Sequence, residues 1–494
     1  MAGIRRALAL VSAERYIAMA INLGTAIIVA RLLAPEEFGV FVLGSSVLSI
    51  AEVIRDLGTS NYLVQQNDLT IDKIRTAFTV TLLLTLIIAC LLVALASRVE
   101  SFYGIPGLGR YFYVVTVGFL TGPFVMPGWA LFRRDLEFAT IFGINVTTML
   151  INAVAAITLA QLGYSYMSLA WASVASGTVG LLLYLFLCSD LSIFRPSVAE
   201  WRGVIAFGTY DCGTGLLYRA WEFLPYLIFG RILNSESLGL YQRAVTLCKL
   251  PENVLLASVA MVVLPAFAQK KREGHSLKES YLLGLEYVTA LLWPSLLIVM
   301  LLAHPIVLVL LGKKWLEVVP LVQIIACGSL FAFPLNLSST TLIAVGAMRH
   351  RLNLAIFLAT FSICIQTVAA FYGLRAVAAA TFVTAPISMI AAIFAVRLHI
   401  PFHWVELANA LRRSAVVSAL SAIGPFIVAV DAGASANVSI GGALLALAVA
   451  AVGWFVGLSL TDHPILREIH LGRDFLFRTA IVTNAIDATR RLWQ

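Results

Sequence analysis

The stretches "VARLLAPEEFGVF" at 29–41 and "FGRILNSESLGLY" at 229–241 are two versions of one short sentence. Arg31 matches Arg231, Leu33 matches Leu233, Glu36 matches Glu236 and Gly39 matches Gly239. Glu52 and Glu252 keep the same offset of 200 residues further on. Each copy reads as the end of one helix and the start of the next. Pro35 suits the first helical turn, where its missing N–H costs nothing, and Glu36 and Glu37 favour the positive N-terminal end. Asn234 is a good N-cap for the second copy. A gapless repeat of one helix–turn–helix unit points to a duplicated half.

Composition decides what solvent these helices need. Of 494 residues, 60% are hydrophobic and 12% charged, with a mean hydropathy of +0.93. Soluble domains lie nearer half apolar and about a quarter charged, so this chain reads as a polytopic membrane protein. The net charge of +8 comes from residues scattered through short gaps between apolar runs. That pattern belongs to the ends of membrane helices and excludes a nucleic-acid groove. The six cysteines all lie in apolar stretches without a CxxC pair and read as small core hydrophobes. The start "MAGIRRALAL" lacks a cleavable-signal pattern, since the first apolar run is a full-length span.

A span needs roughly 20 apolar residues. Fourteen candidates follow, near 14–34, 38–60, 75–97, 111–132, 138–161, 164–188 and 203–231. The series continues near 238–268, 281–311, 316–346, 352–374, 375–397, 414–432 and 439–460. With the N-terminus inside, the inner connections and tail hold 23 Lys and Arg, and the outer ones hold seven. The positive-inside rule therefore places both termini in the cytoplasm. Each copy of the repeated sentence falls on the outer side, where Arg31 and Arg231 can snorkel at the ends of spans 1 and 7.

The period is six spans, an even number, so both halves point the same way and are related by an axis along the membrane normal. The expected fold is all-α, with about 14 transmembrane helices in two six-helix lobes related by a pseudo-twofold axis. Residues 1–190 form the N-lobe of spans 1–6, and 191–400 the C-lobe of spans 7–12. Residues 401–460 add accessory spans 13 and 14. Residues 461–494 form an amphipathic basic tail with Arg467, Arg473, Arg478, Arg490 and Arg491, suited to the anionic inner leaflet.

The pattern "RLLAPEEFGVF…DLGTSNYLVQQ" resembles the polysaccharide-transporter branch of the multidrug/oligosaccharidyl-lipid/polysaccharide exporter superfamily. The twofold six-span repeat and the two extra C-terminal spans fit the same resemblance, which covers essentially the whole chain. The resemblance implies a flippase in a bacterial inner membrane. Two rocking lobes would move an undecaprenyl-diphosphate-linked oligosaccharide repeat unit to the outer leaflet for surface polysaccharide synthesis. It implies membrane lipids as surroundings, and a polysaccharide polymerase and chain-length regulator as partners. A cation-coupled multidrug exporter of the same superfamily is the alternative.

Ionisable groups inside spans are costly and usually face a cavity. In span 2, Ser45, Ser49, Glu52 and Asp56 share roughly 60° of arc, with Arg55 at the edge. In span 7, Asp211, Gly215, Arg219 and Glu222 share roughly 80°, with Tyr226 on the same side. Span 8 carries Lys249 and Glu252, and span 1 puts Ser12, Arg15 and Asn22 on one face. These four helices are the pairs that carry the repeated sentence, and they are expected to line a central cavity.

Arg55, Arg219 and Lys249 suit a diphosphate. Asp211, Glu222, Glu52 and Tyr226 suit sugar hydroxyls, and Tyr218 and Trp221 offer flat stacking faces. A structural alternative is that Arg219–Glu222, Lys249–Glu252 and Glu52–Arg55 are i,i+3 pairs neutralising one another. Arg243, on the opposite face from Lys249, reads as a snorkelling residue near the outer surface. The in-span acids Glu52, Asp56, Asp211, Glu222, Glu252 and Glu286 outnumber the bases Arg55, Arg219, Arg243 and Lys249. This balance keeps the drug-exporter alternative open, with Glu222 as first candidate for a coupling proton or ion.

No cofactor or metal site is written in the chain. It has no DxD, HExxH or GxxxxGK[ST], and its longest outer connection, "RVESFYGIPGLGR" at 98–110, is too short for a catalytic domain. A transporter, not an enzyme, is expected.

Overall fold

The computed structural model describes residues 2–188, 190–431 and 439–466. Those residues contain helices and connecting turns, with no strand among them. The chain opens with α1 (Ala2–Leu32), α2 (Pro35–Asp56), the short α3 (Thr59–Gln65) and α4 (Ile71–Tyr103). Next come α5 (Leu108–Phe119) and α6 (Gly122–Arg134), bent by 43° at their junction. They are followed by α7 (Phe138–Gln161), α8 (Met167–Leu187), α9 (Trp201–Ile232) and α10 (Ser235–Arg272). The remainder holds α11 (Lys278–Leu301), α12 (Ala303–Leu310), α13 (Val318–Ser329), α14 (Leu335–Ala344) and α15 (Met348–Ala370). It ends with α16 (Leu374–Ala379), α17 (Thr381–Arg397), α18 (Trp404–Asp431) and α19 (Ile440–Leu460).

Two compact units emerge. One is Met1–Arg243 with Leu310–Glu317 and Ile363–Val377; the other is Ala244–Val309, Val318–Ser362 and Ala378–Gln494. The basic tail expected over 461–494 lies, from residue 467 onward, outside the described residues.

Among the described residues, eleven helices are long and apolar enough to cross a membrane, or twelve with the bent α5–α6 pair as one span. This is a multi-pass membrane protein, but composition does not confirm a count of fourteen. The two expected spans not among these are 203–231 and 238–268. Their helices, α9 and α10, have 32 and 38 residues, ample for a bilayer. Asp211, Arg219 and Glu222 dilute the hydropathy of α9.

The repeated sentence folds as its local chemistry dictates. Pro35 occupies the first turn of α2, and the Glu37 carboxylate accepts from the Ala34 backbone N–H at 2.7 Å. At the start of α10 the Asn234 side chain accepts from the Ser237 N–H at 2.8 Å. The two copies also pack on each other. A Cβ on Gly39 would fall 1.7 Å from the Ser235 carbonyl oxygen, and a Cβ on Gly239 would fall 2.1 Å from that of Pro35. Pro35 and Ser235 are themselves partners in the repeat. Each glycine thus receives the first-turn carbonyl of the other copy, the reciprocity that a twofold axis produces.

The symmetry is broken one helical turn further on. Leu43 is fully buried, and its repeat partner is Arg243. Expected to snorkel, Arg243 is instead buried, with its guanidinium carbon 3.7 Å from the Phe38 ring centroid and 5.6 Å from that of Trp315. Aromatic faces replace water as its partner, so it needs no outlet to the surface. Trp315 is fully buried as well and donates its indole N–H to the Ala30 carbonyl at 2.6 Å.

In the second unit α18 and α19 are zipped by small residues. A Cβ on Gly453 would meet the Leu420 carbonyl at 2.4 Å, and one on Gly457 the Val417 Cα at 2.8 Å. Close backbone approach of this kind holds helices together where lipid offers no hydrophobic drive. The pair docks on α11 through Glu286, whose carboxylate lies 3.4 Å from the Arg413 guanidinium and 3.8 Å from the His463 imidazole. Ser414 Oγ donates to the Glu286 carbonyl at 2.9 Å, and the Trp454 indole N–H donates to that of Ala290 at 2.8 Å.

His463, just past the end of α19, is buried, and burial first and Arg413 second push its imidazole down to about 4. The unfolded chain, with an ordinary imidazole value of about 6.5, therefore binds more protons than the folded one between those limits. Stability conferred by this dock is present above pH 6.5 or so and is lost as pH falls toward 4. Thermal unfolding in detergent should show this loss between pH 7.5 and 5, and His463→Gln should flatten it. A wild-type profile as flat as the variant's would remove His463 from the dock's titration.

Candidate functional site

An open cavity of about 350 Å³ lies between α2, α5, α6, α7 and α8 of the first unit, with polar groups set among apolar walls. Glu52 and Arg55 enter it from α2. The Arg55 guanidinium sits 4.6 Å above the Phe119 ring and donates to the Phe119 carbonyl at 3.4 Å, while its Nε is buried with no hydrogen-bond partner. A Cβ on Gly122 would strike this guanidinium at 2.5 Å, so the glycine makes its seat. A second space of about 270 Å³ shares the Arg55, Gly122, Val125 and Trp129 walls and adds Asp56 and Ser60.

The far wall is uncharged and polar. Asn145 and Thr148 face the cavity from α7, and Ser173, Ser176, Gly177 and Gly180 from α8. These residues were not among those expected from the sequence. Their signal was spacing: Ser173, Ser176, Gly177 and Gly180 stand at i, i+3, i+4 and i+7, one face of a helix. Searching only for charges inside spans passes over such a stripe.

The other expected residues are placed differently. Asp211 accepts from the Asn61 side-chain amide at 3.1 Å, which ties α9 to the chain just after α2. That chain turns sharply: Leu57 and Gly58 are both left-handed, with φ of 41° and 63°, and a Cβ on Gly58 would fall 2.6 Å from the Asp211 Cβ. Arg219 and Glu222 form an ion pair at 3.5 Å, both about half exposed, with Arg219 over the Phe223 ring at 5.6 Å.

Tyr226, on the same helix, lies half-buried between Phe223 and Tyr241, with ring centroids at 6.5 and 6.2 Å. Arg15 and Asn22 are exposed on α1. In the second unit Lys249 is exposed and Glu252 accepts from the Asn336 amide. Of the three i,i+3 pairs, only Arg219–Glu222 closes to ion-pair distance among the described residues.

The structure thus brings Glu52 and Arg55 together in one cavity and groups Arg219, Glu222 and Tyr226 on α9. It gives Asp211, Arg243 and Glu286 packing partners of their own. What the cavity offers is one cation, one carboxylate, hydroxyls and an amide around open space in a membrane-spanning bundle. That is a set for holding a polar solute, and no group of three or more His, Cys, Asp or Glu among the described residues is arranged to hold a metal ion.

The fold is that of "Lipid II flippase MurJ, inward closed conformation", with a TM-score of 0.75 and 12% identity over 92% of this chain and 99% of that one. An inward-facing multidrug resistance MATE family transporter of the MOP superfamily aligns with a TM-score of 0.62 and 16% identity, over 79% and 96%. At these identities both speak to the fold alone.

Among curated relatives, the succinoglycan biosynthesis transport protein ExoT of Rhizobium meliloti is 25% identical over 60% of each chain. The lipopolysaccharide biosynthesis protein WzxC of Escherichia coli is 21% identical, over 60% of this chain and 61% of its own. The chain thus matches about three-fifths of the length of these relatives. The family described as "Polysaccharide biosynthesis protein" matches residues 28–320, which include both copies of the repeated sentence and every wall of the cavity. The chain belongs to that family, in the polysaccharide-transporter branch that the stretch from Arg31 to Gln66 resembles.

Proposed function

We propose that the protein is a flippase. It carries a lipid-linked oligosaccharide, borne on undecaprenyl diphosphate, from the inner to the outer leaflet of a bacterial inner membrane by alternating access. The observation that carries this reading is the family match over residues 28–320 on a transporter fold whose bundle holds a polar cavity. The names of the relatives, transport and biosynthesis proteins for succinoglycan and lipopolysaccharide, support the substrate class. The lobes at 1–190 and 191–400 would rock about the axis implied by the repeat, with both termini in the cytoplasm. A polymerase and a chain-length regulator would act beside it.

Within this reading Arg219 and Lys249 meet the diphosphate, and Arg55, Glu52, Glu222, Glu252, Tyr226, Asp211, Arg15 and Asn22 line the route. Arg219 enters it by exchanging Glu222 for phosphate, an exchange a half-exposed pair allows at small cost.

The test is deletion in the native host, followed by assay of surface polysaccharide and of lipid-linked repeat units trapped on the cytoplasmic side. Wild type should clear the trapped precursor. Arg55→Ala, Arg219→Ala and Lys249→Ala should each clear it at least about tenfold more slowly, the equivalent of roughly 1.4 kcal/mol in the barrier. Full rescue by all three would remove the residue assignments and leave the function. Normal polysaccharide together with new sensitivity to cationic drugs would favour the multidrug-exporter alternative.

A further inference from the structure

The cavity of the first unit has a composition that selects its occupant. We propose that it is a subsite for a single neutral sugar ring of the transported oligosaccharide, an inference that rests on the flippase reading. Charge is the first argument. Arg55 and Glu52 are the cationic and anionic side chains on its walls, so they balance, and the remaining polar groups are hydroxyls and the Asn145 amide, which donates to Glu14 at 2.6 Å. A diphosphate would meet the Glu52 carboxylate, and a dehydrated cation would meet the Arg55 guanidinium.

Size is the second argument. A bound cation is caged by oxygens at about 2.3–2.6 Å, whereas this space is about 350 Å³. That lies at the small end of the range of roughly 300–1,000 Å³ for organic-ligand pockets.

Hydrogen-bond capacity is the third. Thr121 donates its hydroxyl proton to the Gly118 carbonyl of α5, and Thr148, Ser173 and Ser176 donate to carbonyls of their own helices, at 2.7, 2.9, 2.7 and 3.1 Å. The lone pairs of Thr121, Thr148 and Ser173 are left to accept, and Ser176 Oγ, which takes one bond from the Asn152 amide at 3.3 Å, keeps a second. Arg55 supplies the matching donor, since its buried Nε has no partner. A ring bearing several hydroxyls both donates and accepts, and it uses both kinds of group at once. Trp129 adds the flat apolar surface against which the C–H face of a sugar can lie. Buried donors and acceptors left unmatched would cost more than the bonds return, which explains why such a wall would sit within a lipid-spanning bundle.

Native mass spectrometry of the purified protein in detergent tests the subsite. The two ligands are the glycosylated carrier extracted from the host and undecaprenyl diphosphate without sugar. Wild type should retain the glycosylated carrier in preference to the bare one by about tenfold or more. Ser176→Leu, which fills the cavity, should abolish that preference without changing retention of the bare carrier. Thr148→Val, which keeps shape and removes one hydroxyl, should lower the preference about threefold, as the loss of one modest hydrogen bond does.

Preference unchanged in both variants would overturn the subsite and leave the flippase standing. Wild-type retention of neither lipid would overturn both. Thermal protection by sodium or protons that Glu52→Gln removes, with no dependence on sugar, would show an ion in the cavity and overturn the proposal.

Discussion

Gly39→Ala is expected to cost about 3 kcal/mol of stability, and Gly239→Ala a similar amount. Each Cβ would stand 1.7 or 2.1 Å from a backbone carbonyl oxygen rather than from the end of a flexible side chain. Overpacking of a tight site typically costs about 1–3 kcal/mol, and here the obstacle is helical backbone that relaxes only by moving a whole helix. The double variant is the sharper test. Once one alanine has pushed α2 and α10 apart, the second meets open space, so the two effects should fall short of additivity by about 1 kcal/mol or more. Unfolding in detergent micelles measures all three. Simple addition would mean two independent clashes, and the reciprocal contact would lose its physical content.

Trp315→Ala should be comparably damaging, at about 3–5 kcal/mol, the range for truncating a large buried aromatic. The substitution removes a fully buried ring, its hydrogen bond to Ala30, its edge-on contact with Phe38 at 5.9 Å and part of the aromatic cover over Arg243. The last loss weighs most, because a buried cation without cover is left unsolvated. Trp315→Phe keeps the ring and loses only the indole donor, and should cost about 1–2 kcal/mol. The order Ala far below Phe, read from melting temperatures, checks the assignment. Equal effects would shift the weight from cover to the hydrogen bond.

The features legible in the sequence were the local and periodic ones. Pro35 and Asn234 announced two helix starts because capping acts within one turn. The offset of 200 residues announced two copies, though not that they touch, since nothing in either copy records its neighbour. The charges of span 7 form a polar stripe on α9, and the same charges keep that helix short on hydropathy.

Arg243 departs from the snorkelling expectation because snorkelling assumes lipid around the helix, whereas Phe38 and Trp315 arrive from positions 205 residues before it and 72 after it. The Asn61 partner of Asp211 is not legible from the α9 stripe, since it is delivered by the left-handed turn at Leu57 and Gly58. The hydroxyl wall of α7 and α8 carries no charge, so a search for expensive groups in lipid did not reach it.

Trp315 also sets a clock. Its indole reaches back to Ala30, 285 residues earlier in the chain, and at ~5–20 residues per second synthesis takes roughly 14–57 s to cover that distance. For most of that interval α1 and α2 are already made, while the surface that Trp315 will cover stands open. The nascent chain therefore passes through a stage in which its earliest helices depend on the translocon or surrounding lipid for shelter. Any truncation ending before residue 315 would hold it there.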